Sequence, residues 1–310
     1  MLKEDFWQRR FSVGLTLDTT YDEFRSFIEQ YAGYIDNFYL SLPLGDRHHC
    51  RDRVAQLYGE KEKQDLFWQL VDCIRMNGVK IDLLFNNHTL TDADVVEGRE
   101  LLDRHEITAD KVTVLDGYYD VVRENFPNSK IVYSVNNLLF TFETASEIKK
   151  QYDEIVVGRQ EIRNARLFHY IKNERGANVI LLMNNGCSHT CGGCRTFDYC
   201  KSVYERDSKK YSTEYVYALQ SIFPFEIHEG LIDTNDVSLF KISNRNANVK
   251  YTRQCIDSYI HNQCEELVSE SRNNYMLWSR LAWNMEHFDS FDLERIIGMK
   301  RDICKAPVSN

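Results

Sequence analysis

The chain has 310 residues, of which 43% are hydrophobic and 27% are charged, and its formal net charge is -9. This composition is typical of a soluble globular protein, and the acidic balance argues against a general nucleic-acid-binding surface while leaving a local basic patch open. The amino-terminal residues lack the apolar core of a signal peptide, and no run approaches the roughly 20 apolar residues of a membrane span, so we expect a cytoplasmic protein without a membrane partner.

From Phe11 onward, strand-like and helix-like segments alternate with short connections. The predicted strands are residues 11–18, 35–42, 79–85, 111–115, 130–135, 154–157, 179–183 and 237–242. The predicted helices are residues 20–34, 61–77, 92–105, 118–126, 141–152, 164–174 and 249–268. Thr20 and Thr91 are candidate N-caps, and Gly78 is a candidate C-terminal cap. This alternation predicts a parallel (β/α)8 barrel of the TIM type.

The barrel is expected to occupy residues 1–268, with a C-terminal helical extension at residues 269–310. The extension contains Trp278, Trp283, Phe288 and Phe291. Aromatic residues at this density are expected either to pack on the barrel or to form a surface for a partner protein.

Four cysteines follow the seventh predicted strand closely: Cys187, Cys191, Cys194 and Cys200. Short spacers allow thiolates to converge on one centre, and neighbouring glycines relieve crowding of the backbone. This spacing favours an iron-sulfur cluster. Zinc is the alternative metal, although structural zinc sites more often use two separated C-x2-C pairs. Buried thiols without a metal are the third interpretation.

Polar residues collect at the predicted carboxyl ends of the strands, where a TIM barrel carries its active site. The candidates for substrate binding are Asn86, Asn136, Asn184, Arg159, Lys241 and Arg245. Amide groups beside fixed cations suit a small, oxygen-rich, anionic substrate. The alternative interpretation is that asparagine simply favours the turns that end strands.

Three stretches of the sequence resemble the peptidase U32 family. The first is NNGCSHTCGGC at residues 184–194, and the second is IVVGRQEI at residues 155–162, where Arg159 matches and Gln160 stands in place of an acid. The third stretch begins at Leu239 with LFKISNR, where Lys241 and Arg245 match a phenylalanine-lysine-isoleucine-glutamate-glycine-arginine pattern. In that stretch, serine and asparagine replace the glutamate and glycine.

The family includes proteins of oxygen-independent ubiquinone hydroxylation and of RNA hydroxylation. The resemblance therefore implies an iron-sulfur enzyme that modifies a small molecule or a nucleic-acid base in a biosynthetic or modification pathway. It also implies a 4Fe-4S cluster, which in several members is held by four cysteines, one or more of which lie farther apart in the sequence than here. Cys200 is our choice for the fourth ligand, with Cys50 and Cys255 as alternatives. Although the family is named as a peptidase family, this sequence contains no H-E-x-x-H motif and no plausible activated serine.

Two other functions remain open. The C-x3-C-x2-C spacing of Cys187, Cys191 and Cys194 also occurs in radical S-adenosylmethionine enzymes, which place it after their first strand. The chain could alternatively be a non-catalytic metal-binding scaffold, because the acidic residues of the family pattern are replaced here.

Overall fold

The computed structural model describes residues 2–44, 59–137, 142–158, 161–183, 221–242, 248–263 and 293–305. Eight parallel strands in these ranges close into a barrel, in which each strand pairs with the next and the last pairs with the first. The strands are β1 (Phe11–Gly14), β2 (Ile35–Leu40), β3 (Lys80–Phe85), β4 (Lys111–Val114), β5 (Lys130–Tyr133), β6 (Glu154–Val157), β7 (Asn178–Leu182) and β8 (Val237–Lys241). The predicted (β/α)8 barrel is confirmed.

The described helices surround the barrel and include one in the C-terminal part of the chain. They are α1 (Tyr21–Tyr31), α2 (Lys61–Met76), α3 (Asp92–Arg104), α4 (Tyr119–Asn125), α5 (Phe142–Glu147), α6 (Ala165–His169), α7 (Pro224–His228), α8 (Val249–His261) and α9 (Leu293–Lys305). Helix α6 continues as a π-helical turn, Tyr170–Glu174. Among the described helices, none has the length and apolar character needed to cross a membrane.

Local sequence signals account for several helix ends. Thr20 and Glu23 form a reciprocal capping box at the start of α1, with backbone-to-side-chain distances of 2.9 and 3.3 Å. Gly78 follows α2 with a φ of +63°, a left-handed conformation that glycine adopts without strain. The start of α1 and the end of α2 therefore lie where the sequence predicted them, within about one residue.

Three predicted helices are shorter in the structure, with α1 ending at Tyr31, and one helix was not predicted. Helix α8 ends at His261 instead of continuing to residue 268, because Asn262 adopts a left-handed φ of +58°. Helix α5 ends at Glu147, and Tyr152 beyond it is buried, with its hydroxyl donating to Asp116 Oδ1 at 2.6 Å. The short helix α7 begins with Pro224, and proline is favoured in the first turn of a helix. This helix was not predicted because the sequence around it is irregular.

A layer of charged side chains closes the amino-terminal end of the lumen. At its centre, Lys111 has a side chain only 2% exposed, with Nζ 2.8 Å from Glu154 Oε2 and 2.9 Å from Asp36 Oδ2. Lys80 and Lys130 contact the same two carboxylates from more exposed positions. Burial would raise the pKa of Asp36, but Lys111 and Lys80 more than offset this, and the net shift is downward. We call these five residues the lower charge layer.

The C-terminal helix α9 is anchored to the barrel by a buried lysine. Lys300 is 0% exposed, and its Nζ donates to Ser221 O at 2.6 Å and to Glu226 Oε2 at 3.0 Å. Burial lowers the pKa of Lys300 to about 8, although Glu226 opposes the shift. Arg301 adds an ion pair with Glu229 at 2.7 Å. The aromatic residues of the extension, Trp278 to Phe291, lie outside the described residues, so a partner surface there remains a prediction.

The lower charge layer predicts unequal costs for two lysine substitutions that face the same carboxylate. Lys111→Met would leave two buried carboxylates without their central cation, and we expect a loss of about 3 kcal/mol or more in the free energy of unfolding. Lys130→Met is the matched control, because its side chain is 51% exposed and lies 3.6 Å from Glu154, and we expect a change of about 0–1 kcal/mol. Denaturant unfolding measures both, and equal effects would contradict this account.

A second prediction concerns the close approach of α3 to the barrel at Gly98. A Cβ at this position would lie 2.7 Å from Phe85 Cζ and 3.2 Å from Leu42 Cδ1, both in buried side chains. We expect Gly98→Ala to destabilise the protein by about 1–3 kcal/mol, because overpacking outweighs the gain in helix propensity. The control is Gly298→Ala in α9, where a Cβ meets nothing within 4 Å and should leave the melting temperature unchanged or raised. A stabilised Gly98→Ala variant would show that α3 does not depend on this contact.

Candidate functional site at the carboxyl-terminal mouth of the barrel

The parallel strands bring three of the predicted substrate-binding residues to the carboxyl-terminal end of the barrel. Asn86 directly follows β3, Asn136 lies in a 3-10 turn after β5, and Lys241 is the last residue of β8. The other predicted residues lie outside the described residues, namely Asn184, Arg159 and Arg245 for the substrate and Cys187, Cys191, Cys194 and Cys200 for the metal. Their assignments remain predictions.

Asn86 and Asn136 lie close together although their strands are separated by β4. Asn86 Nδ2 lies 3.3 Å from Ser134 Oγ, and Asn136 Nδ2 donates to the backbone carbonyl of Asn86 at 3.1 Å. The Ser134 hydroxyl also accepts from the Asn136 backbone N–H at 3.2 Å. These bonds fix the two side chains at one part of the rim.

The second asparagine of each described pair has a structural role. Asn137 joins the ends of two strands, since its Oδ1 accepts from Asp116 N at 2.7 Å and its Nδ2 donates to Val114 O at 2.9 Å. Asn87 Oδ1 accepts from Thr89 N at 3.4 Å within the turn after β3. The alternative interpretation, in which asparagine serves the turns that end strands, therefore accounts for these two residues.

Lys241 faces a carboxylate inside the barrel. Its side chain is 9% exposed, and Nζ lies 3.9 Å from Asp82 Oδ2 and 4.1 Å from the centre of the Tyr39 ring. The sequence predicted Lys241 as a cation for an anionic substrate but gave no sign of this ion pair. An anion bound at Lys241 would therefore share the ammonium group with Asp82.

Asp82 is the functional candidate that the sequence analysis missed. Its side chain is 2% exposed, and the Thr113 hydroxyl lies 2.8 and 2.9 Å from its two carboxylate oxygens. Burial raises the pKa of Asp82, while Lys241, the Thr113 hydroxyl and Lys111 act in the opposite direction and Glu154 adds to the rise. The sequence signal for Asp82 lies in the strand KIDLLF. Successive side chains of a strand point to opposite faces, so Asp82 faces the same side as Lys80. A carboxylate facing a lumen needs either a cation or a proton.

Polar residues form one side of the lumen and apolar residues the other. The polar side runs across neighbouring strands and comprises Lys241, Ser12, Asn37, Tyr39, Asp82 and Thr113, all buried. The apolar side is a separate cluster of buried residues comprising Val132, Val156, Ile180, Leu182 and Leu239. Asn37 Nδ2 donates to Ser12 Oγ at 3.0 Å, whereas its buried Oδ1 has no hydrogen-bond partner among the described atoms. The described lumen is therefore polar on one side and apolar on the other.

The described cysteines are not arranged as metal ligands. Cys255, the alternative fourth ligand within the described ranges, is 0% exposed and belongs to the main hydrophobic core on α8. Cys73 is also buried, and Cys304 is partly exposed. In the described part of the chain, no group of three or more His, Cys, Asp or Glu side chains could hold a metal ion. Cys255 therefore fits the role of a small core residue.

Comparison with known proteins gives similarity of structure only. No protein-family model matches the sequence, and no curated protein matches it. A structure of the U32 peptidase Mk0906 is similar with a TM-score of 0.44 and 16% identity, over 76% of this chain and 92% of that chain. The tryptophan synthase complex from Pyrococcus furiosus gives a TM-score of 0.44 and 14% identity, over 84% of this chain and 98% of that chain. Orotidine 5'-monophosphate decarboxylase from Sulfolobus solfataricus gives a TM-score of 0.43 and 12% identity, over 83% of this chain and 99% of that chain. The evidence that this chain forms a barrel is the pairing of its own eight strands.

Proposed function

We propose that this chain is an iron-sulfur enzyme of the peptidase U32 type that carries out an oxygen-independent hydroxylation or related modification. Its substrate would be a small anionic molecule or a nucleic-acid base, modified in a cytoplasmic biosynthetic pathway. The proposed 4Fe-4S ligands are Cys187, Cys191, Cys194 and Cys200. Such a cluster would supply an electron-transfer centre whose potential depends on the surrounding protein.

The observation that carries the proposal is the pairing at the ends of β7 and β8. Leu182, the last residue of β7, is in register with Lys241, the last residue of β8. Cys187 follows Leu182 by only five positions in the sequence. Strand β7 thus ends beside the buried cation, at the end where TIM barrels place their chemistry, and the cysteine-rich sequence follows it along the chain.

The donor set is also chemically suitable. Four thiolates are the usual ligand set of a 4Fe-4S cluster, and the glycines beside them permit tight backbone turns. With Cys255 in the hydrophobic core, Cys200 is the better choice for the fourth ligand, and Cys50 lies outside the described residues. Zinc remains the alternative metal.

In this proposal, the described rim residues contribute binding and orientation. Lys241 would hold an anionic group of the substrate, together with Arg159 and Arg245. Asn86 and Asn136 would orient it through amide oxygen or nitrogen atoms, together with Asn184. The fixed position of the two described asparagines supports this role, because a binding residue is most effective when its neighbours already hold it in place.

Metal analysis of anaerobically purified protein tests the proposal. We expect about four irons and four sulfides per chain, with the visible absorption and reduced-state EPR signal of a 4Fe-4S cluster. Cys200→Ser should lose most of the cluster, because an alcohol is a poor iron ligand compared with a thiolate. The matched control is Cys304→Ser, in which a hydroxyl can replace the thiol that contacts Glu226 at 3.5 Å, and the cluster should remain.

Two kinds of result would contradict the closed four-cysteine cluster. Zinc as the bound metal, or no metal at all, would leave a scaffold or binding protein as the better account. A cluster that survives in Cys200→Ser and changes its spectrum with S-adenosylmethionine would favour a radical mechanism. Equal loss in Cys200→Ser and Cys304→Ser would indicate general instability of the protein instead of a missing ligand.

A further inference from the structure

Tyr152 is a buried phenol that donates a short hydrogen bond to a carboxylate at the carboxyl-terminal end of the barrel. It is 1% exposed, and its hydroxyl lies 2.6 Å from Asp116 Oδ1. Asp116 begins a 3-10 turn two residues after β4, and its backbone N–H donates to Asn137 Oδ1 at 2.7 Å. Because Asp116 is exposed, a proton taken up by its carboxylate can pass on to water.

Two further tyrosines contact the ring of Tyr152. The ring centres of Tyr119 and Tyr133 each lie 5.0 Å from that of Tyr152, with interplanar angles of 72° and 84°. Such edge-to-face contacts are the favoured geometry of aromatic pairs. Tyr133 is 5% exposed, whereas Tyr119 is partly exposed. The three rings, which we call the tyrosine triad, therefore form a continuous aromatic path from the interior to solvent, along which an electron can pass.

We propose that Tyr152 is a one-electron redox site, with Asp116 as its proton acceptor and Tyr119 as its contact with solvent. A high-potential one-electron oxidant, such as a peroxyl radical, takes an electron through Tyr119 and becomes a peroxide anion. The phenolic O–H bond of Tyr152 breaks, its proton forms an O–H bond on Asp116, and a tyrosyl radical remains. A one-electron reductant such as ascorbate returns the electron, and the proton returns from Asp116. The site thus turns a damaging oxidant into one repairable radical.

The hydroxyl partners explain why the radical resides on Tyr152. An oxidised phenol is strongly acidic, so oxidation is easiest where a base within hydrogen-bond distance can take its proton. Tyr152 has such a base in the Asp116 carboxylate. The hydroxyls of the two flanking tyrosines donate instead to backbone carbonyls, at 2.6 and 3.3 Å. A backbone carbonyl accepts a hydrogen bond but is too weak a base to take the proton.

The environment of Tyr152 also joins the loss of the proton to the loss of the electron. Burial raises the pKa of Tyr152, and the hydrogen bond and the charge of Asp116 add to the rise. The phenol therefore keeps its proton at neutral pH as long as it keeps its electron. When the electron leaves, the proton moves only the length of one hydrogen bond, and the buried ring carries no net charge before or after the step.

Fixed cations keep the radical from resting on Tyr119. The Arg123 guanidinium lies 5.7 Å and Lys150 Nζ lies 5.2 Å from the centre of the Tyr119 ring. Lys150 is held there by the Asp120 carboxylate at 2.8 Å and by the backbone carbonyl of Asp116 at 3.3 Å. Positive charge beside a ring opposes the removal of an electron from it. Tyr119 is therefore a route for the electron and not the place where the radical stays.

A second buried tyrosine–aspartate pair provides an internal comparison. Tyr31 donates to both carboxylate oxygens of Asp257 at 2.8 Å. Arg253 Nε, however, donates to the Tyr31 hydroxyl at 3.1 Å and lies 3.9 Å from Asp257 Oδ2. This cation stabilises the ionised carboxylate and opposes oxidation of the phenol. Among the described residues, no cation makes an ion pair with Asp116, so we expect Tyr31 to be the harder of the two tyrosines to oxidise.

Flash photolysis of the purified full-length protein tests the proposal. Photogenerated tris(bipyridine)ruthenium(III) serves as the one-electron oxidant, and transient absorption and freeze-quenched EPR detect tyrosyl radicals. In the wild type, we expect a long-lived tyrosyl radical besides the short-lived radicals of exposed tyrosines, because a buried phenoxyl oxygen is protected from coupling with other radicals. Its formation should slow in heavy water, since a proton moves with the electron. Ascorbate should remove it more slowly in Tyr119→Phe than in the wild type.

Three substitutions identify the groups involved. Tyr152→Phe should lose the long-lived radical, because phenylalanine keeps the ring but has no phenolic O–H bond. Asp116→Asn keeps an oxygen that accepts the hydrogen bond but cannot take the proton, and we expect formation of the radical to slow by about a hundredfold. Tyr31→Phe is the matched control, because it removes the hydroxyl of the other tyrosine–aspartate pair, and it should leave the long-lived radical unchanged.

Several outcomes would overturn the proposal, and the wild-type experiments alone can do so if a variant does not fold. A wild type without a long-lived tyrosyl radical, or with one that forms equally fast in heavy water, would exclude the site. A long-lived radical in Tyr152→Phe would place it on another residue. Equal rates in Asp116→Asn and the wild type would exclude this carboxylate as the proton acceptor. The radical does not require the iron-sulfur cluster, whose iron and sulfide are measured separately, so failure of either proposal is distinguishable.

Discussion

A closed barrel of eight parallel strands turns alternate side chains of every strand into one narrow lumen, and this constraint governs the rest of the structure. Polar groups there have no bulk water and must find partners across the barrel. Here the lumen is filled asymmetrically, with buried polar residues on β8 and β1–β4 and a separate apolar cluster on β5–β8. The helices outside pack on a larger apolar core. The stability of the barrel and its chemistry thus depend on the same set of inward-facing residues.

The two charged regions of the lumen satisfy this constraint to different degrees. In the lower charge layer, Lys111 lies within 2.9 Å of two carboxylates, and further lysines contact these carboxylates from the exposed end. Deeper in the barrel than the end of β3, Asp82 Oδ2 lies 3.9 Å from Lys241 Nζ, which reaches it from the end of β8. Apolar replacements of a buried ion pair are often as stable as the pair itself. Stability alone therefore gives little reason for the buried charges of Asp82 and Lys241.

The sequence predicted the fold because its signals were local and mutually consistent. The Thr20 and Glu23 capping box, Gly78 after α2 and the alternation of strands with helices each act within a few residues. The ion pair of Lys241 could not be predicted in the same way, since it depends on how β3 and β8 face one another across the lumen. The early end of α8 depends on a single left-handed residue, Asn262, a conformation that asparagine can adopt but does not require.

The two ends of the cysteine-bearing segment are joined by the barrel itself. Met183, just after β7, accepts a backbone hydrogen bond from Ile222 at 2.9 Å, and the Tyr259 hydroxyl donates to Ile222 O at 2.7 Å. Ser221 O accepts from both Arg163 and Lys300, at 2.9 and 2.6 Å. Helices α8 and α9 thus hold the described residues on both sides of this segment beside the end of β7. The barrel is closed at this point by the pairing of β7 with β8.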